Sequence, residues 1–199
     1  MKNRLVVLAV CLGFIVVSGR SATGTKAANR LVSGTTRDAT QAAAQDLAQS
    51  TAVKPGDVDT VEHLLAAVYD SISGPAGPRN WERFRALFYP GARLIPSFRD
   101  KDGKVQAKVM SVEDYVQNAQ PFFDKEGFFE APIANRTEQW DRIAHVWSTY
   151  ESRHAKGEKP FARGINSFQF LFDGSRWWVV TIYWEGEEKE HPLPDKYLK

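Results

Sequence analysis

The sequence predicts an α+β domain in which short helices come first and a long meander of β-strands comes last. Residues 61–72 carry apolar side chains at helical spacing. Three long stretches between residues 143 and 185 alternate apolar and polar side chains instead, and Asp173-Gly174 joins the last two as a tight hairpin. The expected element order is therefore α-α-β-β-α-β-β-β-β, with helices packed on one face of a curved antiparallel sheet.

Each predicted helix begins at a residue that can cap a helix and ends near a proline or glycine. The capping residues are Asp59, Asn80 and Ser111, and the helices end before Gly74-Pro75, Pro90-Gly91 and Pro121. Asp59 and Glu62 have the spacing of a capping box.

Short strands are expected before the meander. Residues 92–97 and 104–110 can pair across the turn signal Asp102-Gly103, and Pro132 makes residues 128–136 an edge or bulged strand. The three long strands cover residues 143–154, 161–172 and 176–185.

The alternation along the long strands predicts which side chains face the helices. The inner set is Ala144, Val146, Ser148, Tyr150 and Ser152, then Asn166, Phe168, Phe170 and Phe172, then Trp178, Val180, Ile182 and Trp184. The outer set includes Trp147, Trp177, Val179 and Tyr183. A large apolar patch on that outer face favours a homodimer.

The N-terminus resembles an export signal. Lys2 and Arg4 precede 13 uncharged residues at 5–17, a run shorter than the roughly 20 residues that span a membrane. We therefore expect residues 1–22 to be a signal peptide and the protein to be exported, periplasmic or secreted. Residues 23–56 form a low-complexity lead, 57–188 the folded domain, and 189–199 a charged, solvated tail.

Charge and composition exclude several classes of partner. The chain has 26 Lys and Arg against 24 Asp and Glu, a net charge of +2, which becomes −1 once Lys2, Arg4 and Arg20 leave with the signal peptide. A nearly neutral mature chain gives no reason to expect nucleic acid or a membrane as partner. The single cysteine, Cys11, falls inside the signal.

Metal binding is not expected, because the four histidines have none of the close spacings of a metal motif. They are His63, His145, His154 and His191. No cofactor is indicated either.

Three passages resemble the nuclear transport factor 2-like superfamily, the cone-shaped α+β fold shared with SnoaL-like proteins and ketosteroid isomerase. They are 61-VEHLLAA-67 with 84-FRALFYPGA-92, then 144-AHVWSTYE-151, and finally 163-RGINSFQ-169 with 173-DGSRWW-178 and 181-TIYW-184. The resemblance implies a hollow cone that can hold a small molecule. Because the superfamily includes enzymes and non-enzymes, it implies no single activity.

A comparison with ketosteroid isomerase disfavours that chemistry. The positions similar to its tyrosine, its aspartate base and its protonated aspartate are Leu64, Pro96 and Asn166. Only Asn166 can donate a hydrogen bond to a developing oxyanion, and one donor without a base is not a catalyst.

The sequence therefore favours an aromatic-lined pocket for a small apolar or amphipathic molecule, without an evident catalytic acid/base pair. The expected pocket residues are Leu64, Tyr69, Ser148, Tyr150, Asn166, Phe168, Trp178 and Trp184. Two alternatives stay open: a lyase or isomerase in which Tyr150 or His154 moves a proton, and a structural homodimer or interaction module.

Overall fold

Three helices lie against one face of a six-stranded sheet in the computed structural model, which describes residues 52–199. The predicted signal peptide and most of the predicted lead lie outside the described residues. The helices are α1 (Val61–Ile72), α2 (Trp81–Ala86) and α3 (Val112–Phe123). The strands are β1 (Phe88–Arg99), β2 (Val105–Ala107), β3 (Phe129–Trp140), β4 (Ile143–Arg153), β5 (Ala162–Phe172) and β6 (Trp177–Gly186), followed by a 3-10 turn at Asp195–Tyr197.

Side-chain caps begin all three helices. Thr60 caps α1 by accepting a hydrogen bond from the His63 amide, one residue later than expected. Asn80 caps α2, and Ser111 and Asp114 form a capping box at α3. None of the helices within residues 52–199 is both long and apolar enough to cross a membrane.

The sheet has the strand order β2-β1-β6-β5-β4-β3. Four of its five pairings are antiparallel, as predicted, but β1 pairs in parallel with β6. The parallel pairing places Phe88 beside Val179. As a result, β1 begins at Phe88, four residues before the strand predicted at residues 92–97, and α2 ends at Ala86. Bulges in β3 and β6 bend the sheet around the helices.

The core lies between the helices and the concave face of the sheet. Val146 and Ser148 of β4 are fully buried, and Phe168 and Phe170 of β5 are nearly so. These side chains belong to the inner set that the alternation predicts.

The inner face of β6 differs from the predicted one. Gln169 pairs with Thr181 and Phe170 with Val179, so Val180 is an extra residue in the ladder. The bulge reverses the alternation on its N-terminal side. Trp177 and Val179 therefore join the main core cluster, while Trp178 is buried outside that cluster. This corrects the expectation that Trp178 faces inward and that Trp177 and Val179 face outward.

The C-terminal segment packs on the outer face of the sheet. The Tyr197 ring stacks on Trp147 at a centroid distance of 5.7 Å, and the Thr149 hydroxyl donates to the Tyr197 carbonyl at 2.6 Å. Trp147 stays 39% exposed and Tyr183 45% exposed. The segment expected to be solvated thus covers part of the face on which a homodimer was expected, and the homodimer itself stays a prediction.

Candidate ligand-binding site

An apolar cavity of about 70 Å³ lies between the helices and the sheet. Most of its wall is aromatic or aliphatic, with a few polar groups. The lining residues are Val68, Tyr69, Ile72, Phe84, Leu94, Tyr115, Phe128, Glu130, Tyr150, Asn166, Phe168, Ile182 and Trp184. A dry cavity of about 150 Å³ can hold benzene, so this one has room for a few heavy atoms or for the end of a longer molecule.

A hydrogen-bonded cluster forms one polar part of the site. The Tyr69 hydroxyl lies 2.6 Å from the Ser148 hydroxyl and accepts a hydrogen bond from the Asn166 amide at 3.1 Å. The helical face of α1 carries Tyr69, and the β4–β5 register sets Ser148 directly opposite Asn166. The cluster therefore links α1 to the centre of the sheet.

Glu130 of β3 is the one carboxylate in the cavity wall. The Ser152 hydroxyl donates to its carboxylate at 2.8 Å. Its backbone amide donates to the Ser73 hydroxyl at 3.0 Å, which ties β3 to the end of α1. Burial raises the pKa of Glu130 to about 7, against the opposing effect of hydrogen bonds from Ser152 and Asn166. A carboxyl with such a pKa exchanges protons near neutral pH.

Three phenols share the cavity with Glu130. Burial raises the pKa of Tyr69, Tyr115 and Tyr150, and the neighbouring Glu130 carboxylate acts in the same direction. The phenols are therefore neutral near pH 7, a state in which they can donate hydrogen bonds but do not act as bases. This changes the role expected for Tyr150.

Gly164 makes room for the Tyr150 side chain on the neighbouring strand. The two residues are register partners, and a Cβ at Gly164 would lie 2.5 Å from the Tyr150 hydroxyl and 2.3 Å from the Glu185 carbonyl oxygen. A glycine is required here by the close approach of its neighbours.

The structure brings most of the predicted pocket residues together. The five that line the cavity are Tyr69, Tyr150, Asn166, Phe168 and Trp184. Ser148 joins them through its contact with Tyr69. Leu64 is fully buried in the core but does not line the cavity.

Trp178 and His154 lie away from the cavity. The bulge in β6 turns Trp178 to the other face, where its indole N–H donates to Asp173 at 2.6 Å and its ring contacts Arg176. His154 is exposed; its ring stacks on Phe161, and its Nδ1 lies 3.1 Å from the Gly127 carbonyl oxygen. Trp178 is therefore not a pocket residue, and His154, expected only as a possible proton-transfer residue, does not line the cavity.

Glu130 is the residue that sequence reasoning missed. Glu130 lies in a segment that was correctly predicted to be an edge or bulged strand. That prediction rested on Pro132 and assigned no role to Glu130. The alternation of the strand could have indicated it, because Glu130 is two residues after Phe128, a buried residue, and residues two apart in a strand share a face. A carboxylate on the apolar side of a strand is unusual enough to mark a site.

A surface groove of about 570 Å³ adjoins the cavity. It runs between the end of α1, the start of β3 and the β4–β5 turn. The groove is lined by Tyr69, Asp70, Ser73, Phe129, Glu130, Ala131, Arg153, Lys156, Gly157 and Glu158. Tyr69 and Glu130 line both spaces, so cavity and groove meet at these two side chains.

Among residues 52–199, no three His, Cys, Asp or Glu side chains are grouped so that they could hold a metal ion.

No protein-family model matches the chain, and no curated protein matches its sequence. Solved structures do match. A protein of unknown function with a cystatin-like fold from Nostoc punctiforme aligns over 65% of this chain and 90% of its own, with 12% identity and a TM-score of 0.50.

Two further structures match less closely in geometry. An NTF2-like protein of unknown function from Shewanella baltica aligns over 65% of this chain and 98% of its own, with 16% identity and a TM-score of 0.39. An uncharacterized protein with a cystatin-like fold from Caulobacter vibrioides aligns over 65% and 89%, with 12% identity and a TM-score of 0.48.

These identities are too low to carry a function. The likeness to solved structures is one of fold alone: this is an α+β domain, and its activity has to be argued from its own residues.

Proposed function

We propose that the domain binds a small, mostly apolar molecule in the cavity between its helices and sheet. The observation that carries the proposal is the cavity wall itself: it is mostly apolar and contains a few polar groups. Ligand sites in proteins have this composition, in which apolar surface supplies affinity and convergent polar groups fix orientation. The Tyr69, Ser148 and Asn166 cluster would orient the ligand.

Thermal unfolding in the presence of small ligands tests this proposal. We expect 2-butanone, cyclopentanone and 1-butanol to raise the melting temperature, because a ligand that binds only the folded state stabilises it. Val68→Phe fills the cavity and is expected to abolish the shift. Val112→Phe makes the same change at a half-buried position on α3 outside the cavity and should leave the shift intact. The absence of a shift with all three ligands would contradict the proposal.

A second candidate function, proton transfer of the lyase or isomerase kind, follows from Glu130. Its carboxyl lines the same cavity, and burial raises its pKa to about 7, which suits a general base near neutral pH. In the proposed step the carboxylate removes a proton from the carbon next to a carbonyl group. Tyr69 and Asn166 would donate hydrogen bonds to the resulting enolate oxygen, and the protonated Glu130 would return a proton to carbon.

Hydrogen–deuterium exchange tests this step without knowledge of the natural substrate. We expect the protein in D₂O to accelerate exchange of the α-protons of cyclopentanone, as followed by NMR. Glu130→Gln removes the base and should abolish the acceleration, while cyclopentanone still raises the melting temperature. Glu138→Gln, at an exposed position on the same strand, is the control. Equal exchange by the Glu130→Gln variant and the unmodified protein would exclude Glu130 as the base.

Export also belongs to the proposal. The signal-like sequence at residues 1–22 supports delivery of the binding domain to the periplasm or the medium. Fractionation of expressing cells, followed by determination of the mature N-terminus, tests it.

A further inference from the structure

The cavity and the groove meet at Tyr69 and Glu130, which line both. The cavity alone, at about 70 Å³, holds only the end of a molecule larger than a few heavy atoms. The groove, at about 570 Å³, is much larger. A ligand whose end fills the cavity would therefore extend past Tyr69 and Glu130 into the groove.

The groove differs from the cavity in its five charged side chains, two of which form ion pairs. Asp70 forms ion pairs with Lys54 and Arg83. Arg153 forms an ion pair with Glu151, and its Nε donates to the backbone carbonyl of Glu158 at 2.7 Å.

Lys156 and Glu158 are the groove-lining charges, apart from Glu130, that form no ion pair among residues 52–199. Only Lys156 is held against the groove wall: its ammonium lies 5.8 Å from the centroid of the Phe129 ring, a distance typical of a cation–π contact. Phe129 and Lys156 both line the groove, so the contact keeps a positive charge at the groove wall.

We propose that the cavity and the groove form one bipartite site for an amphipathic carboxylate, with its hydrocarbon end in the cavity and its carboxylate beside Lys156 in the groove. The inference rests on the proposed binding function and adds the length and the charge of the ligand. The apolar wall of the cavity contacts the hydrocarbon, and the ammonium group of Lys156 forms an ion pair with the carboxylate.

Calorimetric titration of the full chain with octanoate, 1-octanol and octylamine separates the two parts of the site. The three ligands share one hydrocarbon chain and differ in the charge of the head group. We expect octanoate to bind about threefold more tightly than 1-octanol, the effect of one solvent-exposed ion pair. Octylamine is expected to bind more weakly than octanoate.

Two lysine variants identify the source of the difference. Lys156→Ala should lower the affinity for octanoate by about threefold and leave that for 1-octanol unchanged. Lys159→Ala removes another exposed lysine of the same turn that does not line the groove, and it should change neither affinity.

The outcomes distinguish the two proposals. Binding of 1-octanol supports the cavity, and a Lys156-dependent preference for octanoate over 1-octanol supports the bipartite site. Equal affinity for all three ligands overturns the bipartite site alone. Preference for octylamine, lost in Glu158→Gln, also overturns it and assigns the groove to a cation. Failure of all three ligands to bind overturns both proposals.

Discussion

Glu130 and Ser152 lie directly opposite each other in the β3–β4 ladder, and the Ser152 hydroxyl donates to the Glu130 carboxylate at 2.8 Å. Ser152 is 1% exposed, so the bond forms where water has little access. This pair turns the carboxylate toward the cavity and provides one of its few polar contacts. Glu130 therefore gives the cavity a group whose charge changes near neutral pH, whereas the tyrosines of the cavity stay neutral there.

The Glu130 pKa predicts an unusual pH dependence of stability. Folding raises this pKa from its ordinary 4.5 to about 7, so between these values the folded state holds a proton that the unfolded state releases. The contribution of Glu130 to the free energy of unfolding therefore falls as the pH rises from about 4.5 to 7, by roughly 3 kcal/mol. It then stays constant at higher pH.

Urea denaturation of Glu130→Gln across this range measures the effect. The variant should gain stability relative to the unmodified protein as the pH rises to 8, since an amide cannot ionise. Glu138→Gln should follow the unmodified protein at every pH. A stability difference between Glu130→Gln and the unmodified protein that does not vary with pH would exclude titration of Glu130 in this window.

The hydroxyl of Tyr69 is expected to contribute to stability because it joins two buried polar groups. Tyr69→Phe leaves the Ser148 hydroxyl and the Asn166 amide without this partner, which should lower the free energy of unfolding by about 1–2 kcal/mol. Tyr183→Phe, at an exposed position, should change it by less than about 0.5 kcal/mol. Urea denaturation of both variants measures the difference, and equal stabilities would show that Tyr69 acts through its ring alone.

Much of the fold was predictable because local rules and tertiary packing agree. The periodicity of α1, the turn at Asp173-Gly174 and the alternation of β4 and β5 all appear as expected. The bulge at Val180 was not predictable, because an extra residue in a strand leaves no mark on the alternation until the register with β5 is known. Because Val180 is such an extra residue, Trp177 lies on the face that was predicted for Trp178, and Trp178 lies on the face that was predicted for Trp177.

The candidate site was predictable where side chains lie on central strands. Asn166 and Ser148 were both expected on the inner face of the sheet, and they lie opposite each other there. Glu130 was missed because β3 is an edge strand, where a carboxylate is ordinarily solvated. Only the three-dimensional packing of α1 and β4 around Glu130 removes part of it from solvent, and that packing depends on contacts distant in the sequence.

Arg83 is predicted to be the most important ionic residue of the helical layer. It is 6% exposed, it contacts both carboxylate oxygens of Asp57 at 2.8 and 2.9 Å, and it also pairs with Asp70. Arg83→Met leaves the largely buried Asp57 carboxylate unpaired and should cost about 3 kcal/mol of stability.

Arg85→Met is the matched control for Arg83→Met, since Arg85 lies on the same helix and forms an exposed pair with Glu113. It should cost less than about 1 kcal/mol. Thermal and urea denaturation compare the two variants, and similar costs would mean that the Arg83 pairs are no stronger than a surface ion pair.

Gly164 is predicted to tolerate no side chain. A Cβ at this position would lie 2.3 Å from the Glu185 carbonyl oxygen, so Gly164→Ala must displace β6 or Tyr150. We expect a loss of about 1–3 kcal/mol in the free energy of unfolding. Gln169→Ala, at an exposed position on the same strand, should be within about 0.5 kcal/mol of the unmodified protein. An undiminished stability of Gly164→Ala would mean that the strands separate there at little cost.

The outer face of the sheet leads to the last prediction, a homodimer. Tyr197 covers part of Trp147, but Trp140, Ile143 and Tyr183 stay exposed by 77%, 58% and 45%, and exposed apolar side chains on one sheet favour association. Light scattering should therefore give twice the mass of the chain at high protein concentration. Tyr183→Lys should shift the protein toward the monomer, because a charge inside an apolar interface is costly, whereas Val109→Lys, at an exposed site outside the sheet face, should leave the mass unchanged. A monomeric mass for the unmodified protein at every concentration would mean that the C-terminal segment covers enough of this face to prevent pairing.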